Sequence, residues 1–467
     1  MSQRIYNPAA GTQAPELRAQ DFRFCNPLIS RLCTLSHVNK NNFSLLFEFS
    51  LSTLNTCAQS AQVLIRTAVR STRFLTNTSV YKKTHWKRSC LRITLGTILL
   101  LLAATLPSRA AEQSAKHANL SSTPTNISNL FTPPRDFAGQ FGKYNSLLTF
   151  RDGSKVRTPA DWQKRRAEIR TEWEREIGTW PPLLEKPTVE SRGWTNRNGF
   201  TQHTVRVQVA PNLHLDGYIL MPHTNGLVPG VVVPYYEPES SVGLGKTKLR
   251  DFASELARRG FAAIVIGSPG GDARRPELAG VRCQPLHFLG YIAANARNAL
   301  AQTRGVDPTR IAIVGHSYGG KWAMFAACFD DKFAAAVWSD PGIVFDETRP
   351  NINYWEPWYL GADPSLTRKP GLPTRENPRT GAYKRLFESG RDLHEVQALM
   401  APRPFLVSGG AEDPPERWHA LNRINEVYDL LGATNRVAMS NRPLHDPTPK
   451  SNEQIYRFLE HFLGNKN

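Results

Sequence analysis

Cysteine is scarce where it would matter. The 467-residue chain carries six, and four of them (Cys25, Cys33, Cys57 and Cys90) precede residue 91. Only Cys283 and Cys328 follow, which permits one disulfide at most and excludes a disulfide-built scaffold. No His/Cys/acid cluster has metal-ligand spacing, so neither a metal nor another cofactor is expected. No internal repeat is present, which excludes solenoid and propeller arrays. Acidic residues are also short, at 40 against 58 Lys+Arg, for a formal charge of +18. That surplus is uneven. Residues 1–112 hold 14 basic and 4 acidic residues, a net of +10, leaving 44 and 36, a net of +8, for the rest. With no dense Lys/Arg stripe in the larger part, no nucleic-acid partner is expected.

Long apolar runs are missing too. The best, Ile93 to Leu106, is shorter than the ~20 residues a spanning helix needs. Lys82, Lys83, Lys87, Arg88 and Arg92 precede it, and Ser108 and Ala110 follow at an A-x-A-like site. Residues 81–110 therefore read as a secretory signal, with export to a periplasmic or extracellular space and no stable membrane insertion afterwards. A signal lies close to a true start, so residues 1–80 read as translated upstream sequence or a disordered leader, with Val80 a candidate initiation site. Residues 111–157 read as a linker and extended lead-in.

Helical signals then begin. Thr158-Pro159-Ala160-Asp161 offers an N-cap, a first-turn proline and an acid at the third position. Trp162, Ile169, Trp173 and Ile177 share a helical face, and Gly178 with Pro181-Pro182 ends it, so 158–198 is an N-terminal helical element. From residue 199 the pattern alternates. "QHTVRVQV" and "LHLDGYILM" predict antiparallel strands, and "GVVVPYY" predicts a strand covered on both faces. Strands and helices then take turns to the C-terminus, predicting a doubly wound, mostly parallel α/β sheet over 199–467. A long insertion, 340–392, interrupts it and is expected to act as a lid or binding region.

Within "RIAIVGHSYGGKW", Ser317 stands between glycines where a buried strand stops and a helix starts. A Gly-x-Ser-x-Gly bend forces the serine backbone into a strained conformation and thrusts its hydroxyl above the sheet. A serine hydroxyl is a poor nucleophile near neutral pH, so it needs a base and a group to orient that base. Four histidines follow. His419 and His461 fall in predicted helices and His394 precedes a late strand, whereas His445 stands in a loop after the last strand. His445 is the expected base. For the acid, "VSGGAEDPPERW" places Glu412 and Asp413 after a strand; Asp413 is chosen, with Glu412 its rival and Asp340 in "VWSDPG" a third option. The oxyanion donors are expected from the Tyr318 amide and from Tyr236 or its neighbour Glu237 in "PYYEPESS".

These residues resemble the α/β-hydrolase superfamily over roughly Gly199 to the C-terminus. "GHSYGGKWAMFAACFDDKFAAAVWSD" is similar to the acetyl xylan esterase and dienelactone hydrolase-like branch, and "DWQKRRAEIRTEWEREIG" resembles the lead-in helix of that branch and of glucuronoyl esterases. Lys321 matches in position a sugar-contacting lysine of glucuronoyl esterases, although that family has cysteine and arginine where His316 and Tyr318 stand. The resemblance implies an exported serine esterase with a Ser-His-Asp triad, acting on a small-molecule or oligosaccharide ester. Lys321, Trp355 and Trp358, with Tyr354 and Tyr359, are the expected substrate contacts. Gly-x-Ser-Tyr-Gly-Gly is also common in prolyl-oligopeptidases, but the roughly 90 residues between the signal and the first strand are too few for their propeller. A non-catalytic carbohydrate-binding protein on the same fold is the reading of a different class.

Overall fold

The computed structural model describes residues 127–464. The leader, the signal-like run and residues 111–126 of the linker lie outside the described residues. Helix α1 (Pro159–Ile177) starts on a reciprocal cap: the Asp161 amide donates to the Thr158 hydroxyl at 3.1 Å, and the Asp161 carboxylate accepts from the Thr158 amide. Its buried face, Trp162, Ile169, Trp173 and Ile177, lies on the main core.

Among the described residues nine strands make one sheet in the order β1-β2-β3-β5-β4-β6-β7-β8-β9. Strands β1 (Val189–Arg197), β2 (Phe200–Ala210) and β3 (Leu213–Pro222) form an antiparallel meander, and β3 pairs antiparallel with β5. From there β4 (Val228–Pro234), β5 (Ala262–Ile266), β6 (Val306–His316), β7 (Ala335–Ser339), β8 (Phe405–Gly409) and β9 (Val437–Asn441) run parallel. Strand β1 lies inside the segment expected to be helical. All but one of its residues are exposed, so it shows none of the alternation that marks a half-buried strand.

The intervening helices are α2 (Pro238–Ser241), α3 (Phe252–Arg258), α4 (Pro285–Ala301), α5 (Tyr318–Phe329), α6 (Gly381–Glu388), α7 (His394–Ala398), α8 (Trp418–Leu430) and α9 (Pro449–Leu463). They cover both faces. Ile264, Ile266, Ile311 and Ile313 face a core with α1, α4, α5 and α8, while Ala263, Val265, Ala312 and Val314 face one with α3 and α9. Two covered faces explain the near-continuous apolar runs of the central strands. Among the described residues no helix is long and apolar enough to cross a membrane. Cys283 and Cys328 are both free thiols.

The 340–380 segment packs into the main core. Ile343, Val344, Phe345, Ile352, Tyr354, Trp355, Tyr359 and Leu360 join the main core, and the Tyr354 hydroxyl donates to the Gly342 carbonyl at 2.8 Å.

Candidate active site

Parallel strands deliver their C-terminal ends to one edge, and β6, β7, β8 and β9 lie side by side there. His316 pairs with Ser339 across β6 and β7, and Gly409 with Asn441 across β8 and β9. The loops carrying Ser317, Asp340, Asp413 and His445 are thereby lateral neighbours.

Ser317 occupies a sharp bend at φ 54° and ψ −113°, between β6 and α5. A non-glycine residue there costs about 1–3 kcal/mol, so the surroundings must hold it. They do so by close packing and two hydrogen bonds. The Ser317 amide donates to the Ser339 carbonyl at 2.8 Å, and the Ser317 carbonyl accepts from the Lys321 amide at 3.0 Å. A Cβ on Gly315 would lie 2.0 Å from the Gly319 carbonyl oxygen, and one on Gly319 would lie 2.3 Å from the Pro234 carbonyl oxygen. Both glycines are required by close backbone approach.

His445 Nδ1 lies 2.7 Å from Asp340 Oδ2, and the Asp340 side chain is fully buried. A carboxylate oxygen accepts, so Nδ1 carries the proton and Nε2 is left with its lone pair. The expected partner, Asp413, makes no hydrogen bond with His445. Its carboxylate turns the other way, accepting the amides of Gly342 at 2.9 Å and Ile343 at 2.6 Å, with Arg417 Nε 3.7 Å away. Burial, then the nearby Asp340 carboxylate, push the Asp413 carboxyl above its ordinary range. The choice of Asp413 is thus corrected to Asp340, because the β9 loop leans toward the end of β7 and the backbone of residues 410–413 separates the two acids. The rival, Glu412, accepts from the Asn351 side chain at 2.9 Å.

Two residues the sequence reading did not single out complete this edge. Arg442 is buried and donates to the carbonyls of Ser408 (2.7 Å), His445 (2.6 Å) and Asp446 (2.8 Å), tying the histidine loop to β8. The His316 ring lies 4.7 Å from the His445 ring. A histidine inside the Gly-x-Ser-x-Gly bend was the available signal for the second; for Arg442 only its closeness to His445 in sequence pointed to it.

The Tyr318 amide heads α5 and has no intrahelical acceptor. Across from it, the Tyr235 amide donates to the Ile266 carbonyl at 3.2 Å and the Tyr236 carbonyl accepts from the Ser268 amide at 3.1 Å. The Tyr236 ring stacks on Tyr318 at 4.6 Å and remains 42 % exposed. Its partial burial raises the phenol pKa, opposed by the neighbouring Ser317 side chain.

The expected sugar contacts divide. Lys321 is buried, donating to the Pro341 carbonyl at 2.7 Å and the Asn351 carbonyl at 3.1 Å, with Nζ 5.1 Å from the Tyr354 ring centroid. Trp355 is buried against Tyr383, and Tyr354 and Tyr359 are buried as well. These four are corrected to packing residues, because the insertion folds into the core and leaves them no accessible face. Trp358 is only half-buried, with the Arg274 guanidinium 5.7 Å from its ring centroid.

Residues 243–449 match the model of the alpha/beta hydrolase family. No curated protein sequence matches the chain. Among solved structures, a glucuronoyl esterase from Solibacter usitatus is similar at 18 % identity and a TM-score of 0.53, over 68 % of this chain and 97 % of that one. A promiscuous CE15 esterase from a marine bacterial metagenome is similar at 17 % identity and a TM-score of 0.53, over 68 % and 96 %. At such identities the likeness concerns the fold. Taken with the matched segment and the bend at Ser317, it gives this chain an α/β-hydrolase fold.

Proposed function

We propose that the protein is a serine hydrolase of carboxylic esters, acting on esterified or acylated saccharides. The observation that carries this reading is the strained Ser317, whose chain neighbour His316 lies 4.7 Å ring to ring from a His445 whose Nδ1 is engaged by the buried Asp340. Ser317 Oγ attacks the ester carbonyl carbon while His445 Nε2 takes its proton. The same nitrogen then protonates the departing alkoxide, leaving an acyl-serine. Water, deprotonated by His445, adds to the acyl carbon and Ser317 recovers its proton. Asp340 holds the imidazole in one tautomer and favours the imidazolium that forms transiently. The amides of Tyr318 and Tyr236 face the developing oxyanion.

The saccharide part of the proposal draws support from the esterases that share the fold and from the half-buried Trp358, an apolar face suited to a sugar ring. Export rests on the basic and apolar run at 82–106, and cell fractionation with N-terminal sequencing of the mature chain tests it.

For the chemistry, p-nitrophenyl acetate hydrolysis by the wild type is compared with Ser317→Ala. A loss of at least about 10³-fold is expected. Equal rates for the two proteins, with no fluorophosphonate label on the Ser317 peptide, would remove the enzyme reading.

A further inference from the structure

Asp413 and Asp340 exchange carboxylates between two loops. Asp340 Oδ1 accepts the amides of Gly410 at 2.6 Å and Asp413 at 2.8 Å, with the Glu412 amide at 3.2 Å, all from the loop after β8. The Asp413 carboxylate in return takes the amides of Gly342 and Ile343, from the loop after β7. Each loop's backbone therefore neutralises the other loop's acid. The oxygens are unequally shared: the Gly410 and Asp413 amides bind Asp340 Oδ1, while Oδ2 takes His445 at 2.7 Å and only a longer contact of 3.3 Å from the Glu412 amide.

We propose that Asp413 is a positioning residue that holds Asp340 in its bond with His445 by clamping the backbone of residues 342–343. This rests on the reading of Ser317, His445 and Asp340 as the catalytic set. Three observations support it beyond the exchange itself. Asp340 sits at φ 53°, a conformation that persists only where neighbours over-determine it, and the clamp acts two residues further along. Gly410 meets the carboxylate so closely that a Cβ there would lie 2.7 Å from Asp340 Oδ2. Finally, the Asp413 carbonyl accepts from Asn441 Nδ2 at 3.0 Å, so the same residue also ties in the strand that leads to His445. Without the Asp413 charge only one oxygen acceptor remains for the Gly342 and Ile343 amides and one of them faces an NH2 donor, the turn at Asp340 relaxes, and Oδ2 swings from Nδ1. Misplacement on the scale of 1 Å costs on the order of 10²-fold in rate.

The test uses the full chain with Asp413→Asn, Asp340→Asn and the double variant. Two readouts are taken: kcat and KM on p-nitrophenyl acetate, and the downfield proton resonance of His445 Nδ1–H. Asp413→Asn is expected to lower kcat by about 10- to 100-fold with KM within about 2-fold, and to shift or broaden the resonance. In the Asp340→Asn background, adding Asp413→Asn is expected to change kcat by less than about 2-fold, since its effect passes through Asp340. Multiplicative losses in the double variant, or an unchanged resonance and kcat in Asp413→Asn, would overturn the proposal. So would loss of the resonance in Asp413→Asn with its retention in Asp340→Asn. Should Asp413→Asn not fold, Asp413→Ser retains one oxygen acceptor and carries the same readouts. Failure of both to fold beside a folded Asp340→Asn would make Asp413 a residue of the fold alone and end the positioning role. A wild type without esterase activity would sink the enzyme reading, while the resonance still decides the clamp.

Discussion

The rings of His316 and His445 lie 4.7 Å apart and are tilted by 41°. His316 Nδ1 is 3.1 Å from the Ser339 carbonyl, which can only accept, so this nitrogen carries the proton. Burial, with the neighbouring His445 and two arginines, holds the His316 imidazole well below its ordinary pKa. It is a neutral platform under the base, and it does not compete for the proton. His316→Phe keeps a ring in that place but loses the bond to Ser339, worth about 1 kcal/mol. The expected result is a fall in kcat of about 5- to 10-fold with KM unchanged, read from steady-state kinetics on p-nitrophenyl acetate. His316→Ala removes the platform as well and is expected to lower kcat further.

Gly319 stands on the first turn of α5, where intrinsic helix propensity favours alanine over glycine by about 1 kcal/mol. Packing opposes that preference. An added Cβ would lie 2.3 Å from the Pro234 carbonyl oxygen, a backbone atom of a central strand that cannot yield. The clash wins, and Gly319→Ala is expected to lose about 2–3 kcal/mol in urea denaturation, together with most hydrolysis. A variant as stable as the wild type would show that close approach of α5 to β4 is not what demands glycine here.

The central fold and the serine bend were legible because their signals are local. Each central strand is covered on both faces and so reads as an apolar run, and Gly315 and Gly319 mark the bend by residue type. Strand β1 escaped notice because neither of its faces is buried. The choice among Asp340, Glu412 and Asp413 depends on which way a distant loop leans, and each of the three follows a strand. Its outcome is fixed by bonds between residues 70–105 positions apart, which no periodicity reports. Lys321 and Trp355 were misread for a related reason. A run of aromatic residues looks alike whether it lines a groove or fills a core, and the packing of 340–360 decides for the core.

Lys321 makes that packing testable through pH. Burial lowers its pKa from 10.5 to about 8, only partly opposed by Asp413, Glu412 and Asp340. The unfolded chain thus holds this proton more tightly than the folded one. Between about pH 8 and 10 the folded state gains stability as pH rises; below pH 8 both states are protonated and the full cost of burying the ammonium remains. A shift of this size corresponds to about 3 kcal/mol. Lys321→Met has no such proton. The wild-type stability minus that of the variant, from urea denaturation at pH 7, 8, 9 and 10, is expected to climb across the upper half of that range. A flat difference would mean that the ammonium is not buried.

Trp358 separates substrate binding from chemistry. It alone among the expected sugar contacts Lys321, Trp355 and Trp358 keeps accessible surface, and two ring contacts, to Tyr359 at 6.1 Å and from Tyr359 to Tyr318 at 6.2 Å, connect it to the residue after Ser317. A small acetate ester reaches the serine without covering that indole, whereas a saccharide chain would stack on it. Trp358→Ala is therefore expected to leave kcat/KM for p-nitrophenyl acetate within about 2-fold. For an esterified xylo-oligosaccharide the same change should raise KM by about 5- to 20-fold, the loss of about 1–2 kcal/mol of stacking. Equal effects on both substrates would assign Trp358 to the scaffold, and the sugar would then have to be held by other residues around Tyr236.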